Sequence, residues 1–487
     1  MKTWINKGLK TPLYLQLFSQ IKEKIISGDL LDGYALPSER TLAKELGIHR
    51  NTVVKAYNEL KMEELITAYQ GIGYRVTYES KEILGRPQKV NWANMVKEEY
   101  LNLDSNFDDL FEKSQGISKI SFGAGIADSN VYHQQDITEA FTEIIRVGDQ
   151  PSYFYTPYQG DLELRKEMSK FLRTKGILVN HSQIQVFSEN NQVLDFLVTI
   201  CLSPGDKVIM EESSSPDVFR AIELAGGKII TVPMDDDGLM CQHLEPLLEL
   251  HKPKFIYVNS SFHNPTGVVL SLERRKKLLE LSYQYRVPII EEDEASELFF
   301  KGKQLPTIKS MDRWDNVIYM HSFSLTMIPG VGVSFVVAPK IVVESLSNLV
   351  SVRLITLEWM PQKLVCHYLK QGIFNEKLME FKEVYKKKQE LMCQYLEKAK
   401  ETIDLSYSRP SGGVFLWVKL PPQIRVKKLE SAVEKRGVTF MPGEIFFPNK
   451  NSDGNYIRLN YSYPTEEELA KGMKILIEEM QKIQKKM

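Results

Sequence analysis

Apolar positions recur along this chain with two different periods, and the change of period divides it. Pro12 opens LYLQLFSQIKEKII, in which Leu13, Leu17, Ile21 and Ile25 fall on one helical face, and Gly28 ends the run. Next comes LPSERTLAKELGIHRNTVVKAYNELKME, where Ser38 is placed to cap one helix and Gly47 marks a tight turn before a second, predicted from about His49. Two helices joined at a glycine turn predict a helix-turn-helix. LITAYQGIGYRV then reads as two short strands around Gly71 and Gly73, a wing. The second helix presents His49, Arg50, Asn51, Thr52 and Lys55 near its start, donors suited to phosphates and base edges in a major groove.

From Ile117 onward the pattern alternates between short apolar runs and helical segments. IQVF, KVIM, KIITV, KFIYVN, VPIIEED, NVIYMHSF and VGVSFVVAP are the predicted strands. Such alternation predicts an α/β domain with a mainly parallel sheet covered by helices. The end of the chain, from about 346 to 487, is helix-rich with strands in GGVFLWVKL and YIRLNYS, a smaller C-terminal α/β subdomain. Residues 79–115 carry mixed charge, a Gly-Arg-Pro break and little periodicity, so they read as a linker. The expected organisation is therefore 1–78, a DNA-binding head; 79–115, a linker; and 116–487, a large α/β domain.

Composition narrows the function classes. With 43% hydrophobic and 26% charged residues the chain is of the folded, globular type. Its 62 Lys+Arg against 63 Asp+Glu leave a net charge of -1, so no global basic field points to nucleic acid. Even residues 1–80 hold only 11 Lys+Arg against 9 Asp+Glu, which implies that DNA binding uses two heads in one assembly. Four scattered cysteines without a CxxC pair imply free thiols in a reducing compartment. MKTWINKGLK has no apolar signal region, and no apolar run approaches the roughly 18 residues of a membrane span. A cytoplasmic protein with no membrane partner is expected.

The stretch LPSERTLAKELGIHRNTVVKAYNEL followed by GIGYRV resembles the winged helix-turn-helix of the GntR regulator family. That resemblance implies DNA contacts from Arg40, Arg50 and Thr52, with Gln70 and Gly71 at a wing tip entering the minor groove. The candidate DNA-binding set is Ser38, Arg40, His49, Arg50, Asn51, Thr52, Lys55 and Gly71. The wing, TAYQGIG, lacks the basic residue often found there.

Over about residues 117–487 the chain resembles fold-type I pyridoxal-phosphate enzymes, the aminotransferases. The strings that carry this are FYTPYQGDLELRKEMSKFLRTKGI, CLSPGDKVIMEESSSP, HNPTG, FSLTMIPGVGVSF, PSGGVFLWVKLP and NYIRLNYSYPTEEEL, in the family's order. A GntR head joined to such a domain is the MocR-type architecture, a transcription regulator with an aminotransferase-like sensor. The resemblance implies a homodimer with the large domains paired head to tail, each carrying a head for one half-site of a double-stranded DNA operator.

Pyridoxal chemistry needs a lysine amine to form a Schiff base. In the family that lysine stands in a Phe-Ser-Lys-Thr string; here the string is Phe323-Ser324-Leu325-Thr326, and no other lysine lies nearer in sequence than Lys309 and Lys340. The family's phosphate-clamping arginine matches Gly332, and its phosphate-turn glycine matches Glu189 of SENNQVLDF, with Asn190 and Asn191 following. Ser215 stands for the ring-stacking aromatic, Glu292 for the aspartate on the pyridine nitrogen, and Glu294 for a tyrosine on the phenolic oxygen. Asn264 and Arg458 keep the family identities, which imply contact with the cofactor oxygen and the substrate carboxylate. The pocket residues expected together are Asn190, Asn191, Asn264, Glu292, Glu294, Leu325 and Arg458.

Relative to that pattern, two positive charges are lost and two negative charges gained. One like-charge contact at about 4 Å costs on the order of 4 kcal/mol at an effective dielectric of 20. Covalent pyridoxal phosphate is therefore not expected, non-covalent binding is disfavoured, and no catalytic or metal-ligating residues are assigned. An effector there is expected to be a small amine or amino acid, its carboxylate on Arg458. Bland alternatives stand beside each residue. HNPTG can serve as a turn alone, Arg458 can pair with Glu292 or Glu294, and the acidic run at 292–294 can be a solvated face.

Overall fold

The computed structural model describes residues 11–69, 73–78, 95–96, 120–147, 155–328, 330–354, 356–448 and 455–485. The chain divides into two compact units, Met1–Asp104 and Ser105–Met487. The expected linker, apart from residues 95–96, lies outside the described residues.

In the first unit, α1 (Leu13–Ile26) buries Leu17, Ile21 and Ile25 in one core with Val53, Ala56, Tyr57 and Leu60 of α3 (Arg50–Met62). Between them, α2 (Glu39–Leu46) is capped as the sequence implies, with Ser38 Oγ accepting from Thr41 N at 3.2 Å. It stops at Gly47, whose φ of +59° is left-handed and favours a residue without a Cβ. His49 caps α3, its Nδ1 accepting from Asn51 N at 3.2 Å. β1 (Ile66–Tyr69) and β2 (Gly73–Val76) pair antiparallel with Tyr69 opposite Gly73, the expected wing. Its tip, Gln70 and Gly71, lies outside the described residues.

In the second unit every predicted apolar run becomes a strand of one seven-stranded sheet. These are β3 (Ile184–Phe187), β4 (Lys207–Glu211), β5 (Lys228–Val232), β6 (Phe255–Asn259), β7 (Ile289–Glu292), β8 (Val317–Ser322) and β9 (Ser334–Val337), in the order β3-β9-β8-β7-β6-β4-β5. Most are fully buried, which is why they read as unbroken apolar runs. Among the helices that border the sheet are α4 (Leu162–Thr174), α5 (Asn190–Cys201), α6 (Pro216–Leu224) and α7 (Leu272–Tyr285).

One strand departs from the parallel expectation: β9 runs antiparallel to both β8 and β3. No described helix intervenes between β8 and β9, and a return without a helical crossover reverses the strand. The C-terminal part builds a second sheet, β10 (Ser406–Tyr407), β11 (Phe415–Lys419), β12 (Met441–Pro442) and β13 (Tyr456–Asn460), ordered β10-β11-β13-β12. Helices α8 (Ile373–Lys400) and α9 (Glu466–Lys485) contribute to the core around it. Among the described residues no helix is long and apolar enough to cross a membrane.

Candidate functional site

The head offers the first candidate surface. Arg40, His49, Arg50, Asn51 and Lys55 are exposed and Thr52 is half-buried. Three of these side chains already have intramolecular work. The Arg50 guanidinium grips Glu39, with Nη2 donating to Oε2 at 2.7 Å and Nε at 3.2 Å. Lys55 Nζ sits 3.9 Å from the centre of the Tyr14 ring, and His49 is the α3 cap. Ser38 likewise serves as a cap. The wing does contain one arginine, Arg75 on β2, which donates to the Gly33 carbonyl at 2.8 Å.

The second site lies at the carboxyl ends of the strands, where open α/β sheets take ligands. There the second unit encloses a cavity of about 450 Å³. Its wall includes all seven pocket residues anticipated from the sequence, Asn190, Asn191, Asn264, Glu292, Glu294, Leu325 and Arg458, together with Glu189, Ser215 and Asp217. The placement follows from local folding. β3 ends just before the α5 N-terminus, which brings Glu189 and Asn190 to the rim. β7 delivers Glu292 at its last residue, and the loop after β8 carries Leu325. Asn264 lies in HNPTG, whose Asn264–Pro265 peptide is cis, and Arg458 comes from β13 of the second sheet.

Two bland expectations are corrected here. The acidic run is not solvated: Glu292 is 5% exposed, Asp293 0%, and Glu294 is half-buried. Strand alternation sends the neighbours in opposite directions. Glu292 faces the cavity and accepts from Tyr257 Oη, from Asn190 Nδ2 and, at 2.9 Å, from Asn259 Nδ2. Asp293 instead accepts from Lys175 Nζ at 2.8 Å, Ser296 Oγ at 2.8 Å and Tyr319 Oη at 2.9 Å, and Glu297 lies 2.5 Å from the same lysine.

The second correction concerns Arg458, which pairs with neither Glu292 nor Glu294. Its Nη1 donates to Asn264 Oδ1 at 2.7 Å and its Nη2 to the Gly123 carbonyl at 2.8 Å. The guanidinium stacks over Phe415 at 4.2 Å and Phe446 at 4.9 Å. Two of its nitrogens thus go to neutral oxygens and its faces to aromatic rings, and the acid whose charge it feels is Asp217 rather than Glu292 or Glu294. Asn264 is thus more than a turn residue, since it anchors this arginine.

Titration follows the same geometry. Burial pushes Glu294 well above the usual carboxylate range, and the Glu292 and Glu189 carboxylates add to it. Burial likewise raises Glu292, opposed by its three donors, and raises Asp217. Glu189 is raised by burial and then by Glu358. Burial brings Arg458 down to about 9, so it stays cationic at neutral pH. His263 is buried and pushed down to about 3, its ring held between Thr266 Oγ1 at 2.9 Å and the Ser213 carbonyl at 3.1 Å, a structural neutral imidazole. Among the described residues no group of His, Cys, Asp and Glu is placed to hold a metal ion.

Three observations bear on pyridoxal phosphate. Leu325, which the sequence resemblance sets at the family's lysine position, lines the cavity, and no lysine is among the described residues of its wall. A Cβ added at Gly332 would overlap both Glu189 Oε1 and the Ser188 carbonyl, so the arginine position is closed by backbone as well as by charge. Glu294 lines the same cavity as a carboxyl at the position that the resemblance gives to a tyrosine. The residues present do not fit that cofactor.

Sequence reasoning missed what surrounds these side chains. Tyr257 and Asn259, which hold Glu292, sit in an apolar strand run, and Lys175 lies over a hundred residues from Asp293. The Glu39–Arg50 pair spans the glycine turn and has no local signal.

Comparison with known proteins agrees with this construction. Residues 118–476 match the aminotransferase class I and II family, and residues 13–76 match the bacterial regulatory proteins of the gntR family. The HTH-type transcriptional regulator YdfD of Bacillus subtilis is 29% identical over 96% of both chains. The HTH-type transcriptional regulator TauR of Rhodobacter capsulatus is 24% identical over 94% of both. The crystal structure of LysN, the α-aminoadipate aminotransferase of Thermus thermophilus, superposes with a TM-score of 0.75 at 27% identity, covering 82% of this chain and all of that one. The head, the sheet and the cavity at its strand ends therefore converge: the chain belongs to the aminotransferase class I and II family, carried on a GntR-type DNA-binding head in the MocR arrangement.

Proposed function

We propose that this regulator acts without catalysing transamination: its aminotransferase-like domain is a sensor or dimerisation domain that holds no pyridoxal phosphate. The observation that carries the reading is Leu325. An alkyl side chain has no lone pair with which to form an imine, and no lysine on the described wall can substitute. The remaining mismatches act in the same direction, because by the resemblance Gly332 and Glu189 stand where relatives hold the phosphate, and Glu189 fills the space beside Gly332.

In this reading two chains pair head to tail through their large domains and present two heads to an operator. Arg40, Asn51 and Thr52 reach DNA directly, with Arg50 exchanging Glu39 for a phosphate. An amine-bearing effector enters the acidic cavity. Operator binding measured by fluorescence anisotropy, with and without added pyridoxal phosphate, tests this. Binding that is cooperative in protein concentration and indifferent to the cofactor is expected. Cofactor-dependent binding, or turnover of an amino acid and a keto acid, would overturn it. The second reading, a working aminotransferase fused to a DNA-binding head, draws support from the overall likeness to LysN and predicts such turnover.

A further inference from the structure

Two buried polar atoms on the cavity wall have no hydrogen-bond partner among the described residues. One is an acceptor, Asn190 Oδ1; the other is a donor, Arg458 Nε. Buried polar groups are nearly always satisfied, so each orphan implies a missing partner of opposite character. The two lie in different surroundings. Asn190 gives its Nδ2 to Glu292, whose charge is felt by Glu294, as is that of Glu189. Arg458 is 5% exposed and stacked on Phe415 and Phe446, and among the described residues its hydrogen bonds go to neutral oxygens.

We infer that the cavity binds an amino acid whose side chain ends in a second cation, its carboxylate on Arg458 and its side-chain cation among Asn190, Glu189 and Glu294. The inference rests on the non-catalytic reading of this cavity and adds the class of ligand. A carboxylate accepts from Arg458 Nε and gives the guanidinium a hydrogen-bonded counter-ion beside the Asp217 charge it already feels. A terminal ammonium donates to Asn190 Oδ1 and relieves the repulsion among the carboxylates that face it. Glu189 occupies the space beside Gly332, so an anionic ligand group has no room or charge partner there. A bare metal ion does not satisfy Arg458, and among the described residues no ligand set for one exists. A volume of about 450 Å³ is in the range of small-molecule sites.

Calorimetry on the full chain, with L-lysine, L-norleucine, cadaverine, inorganic phosphate and pyridoxal phosphate as probes, tests the assignment. Norleucine keeps the carboxylate and loses the distal cation, whereas cadaverine keeps the cations and loses the carboxylate. A buried charged hydrogen bond contributes about 1.5–3 kcal/mol, so each loss should weaken binding roughly 10- to 100-fold relative to lysine. Glu294→Gln should bring lysine down toward norleucine, and Arg458→Gln should bring it down toward cadaverine. Operator binding and circular dichroism check that each variant is folded. Equal binding of norleucine and lysine, a preference for phosphate, or no binding by any probe would overturn the inference. A visible absorption band with pyridoxal phosphate would instead overturn the non-catalytic reading beneath it.

Discussion

Lys175 sits behind the cavity with its side chain 3% exposed, and its ammonium reaches Asp293, Glu297, Ser296 and Tyr319. Replacing it in Lys175→Met keeps most of the volume and strands two buried carboxylates. Removing one partner of a buried ion pair typically costs 3–5 kcal/mol, about as much as two to four pKa units at 1.36 kcal/mol each. Burial alone pushes the Asp293 carboxyl up, but Lys175 first, with His321 and the Ser296 hydrogen bond, together offset this and hold it well below the usual carboxylate range. In the native chain Asp293 thus contributes stability that is present above its unfolded pKa and lost as pH falls through the lower, folded value.

In the variant the sign inverts. The stranded carboxyls prefer their protons, so their penalty grows as pH rises. Urea unfolding followed by tryptophan fluorescence should show a loss of about 3–5 kcal/mol at pH 7 and a distinctly smaller loss at pH 5. Lys175→Met with Asp293→Asn should recover part of it. A loss under about 1 kcal/mol at pH 7, or one independent of pH, would refute the claim that this lysine neutralises the acids behind the sheet.

Arg50→Ala should weaken operator binding and flatten its salt dependence, since a phosphate contact releases counterions; affinity at two salt concentrations reads this. Glu39→Gln should tighten binding, because it frees the Arg50 guanidinium from its intramolecular partner at 2.7 Å. Gly332→Ala should destabilise the second unit by about 1–3 kcal/mol through overlap with Glu189 and the Ser188 carbonyl, read as a lower urea midpoint. Glu294 is raised well above the usual carboxylate range, so its contribution to stability is complete below its unfolded pKa and lost as pH rises through the folded one. The thermal midpoint should therefore fall between pH 5 and pH 8 less steeply in Glu294→Gln than in the native chain.

Much of this architecture is legible in the chain because its signals are local. Ser38 and Gly47 announce the ends of α2 through cap chemistry, and the wing's strands flank glycines. Each central strand reads as an apolar run because it is buried on both faces. The cavity residues are legible through the order of the motif strings, and they do converge on one wall. What escaped is set by three-dimensional neighbours. The direction of β9 depends on a connection without a helix, which a hydrophobic pattern does not encode. The run at 292–294 looks like a solvated face because charge alone is visible. Its burial depends on Tyr257, Asn259 and Lys175, brought in from distant elements. Charge alone matches Arg458 to Glu292 or Glu294, yet the fold gives its hydrogen bonds to Asn264 and a backbone carbonyl.

The most direct test adds pyridoxal phosphate to the purified chain, reduces with borohydride, and weighs the product by intact and peptide mass spectrometry alongside its visible spectrum. The account predicts a colourless protein and no stoichiometric adduct. A visible band accompanied by one reduced phosphopyridoxyl group per chain, on any lysine reaching the cavity, would contradict it.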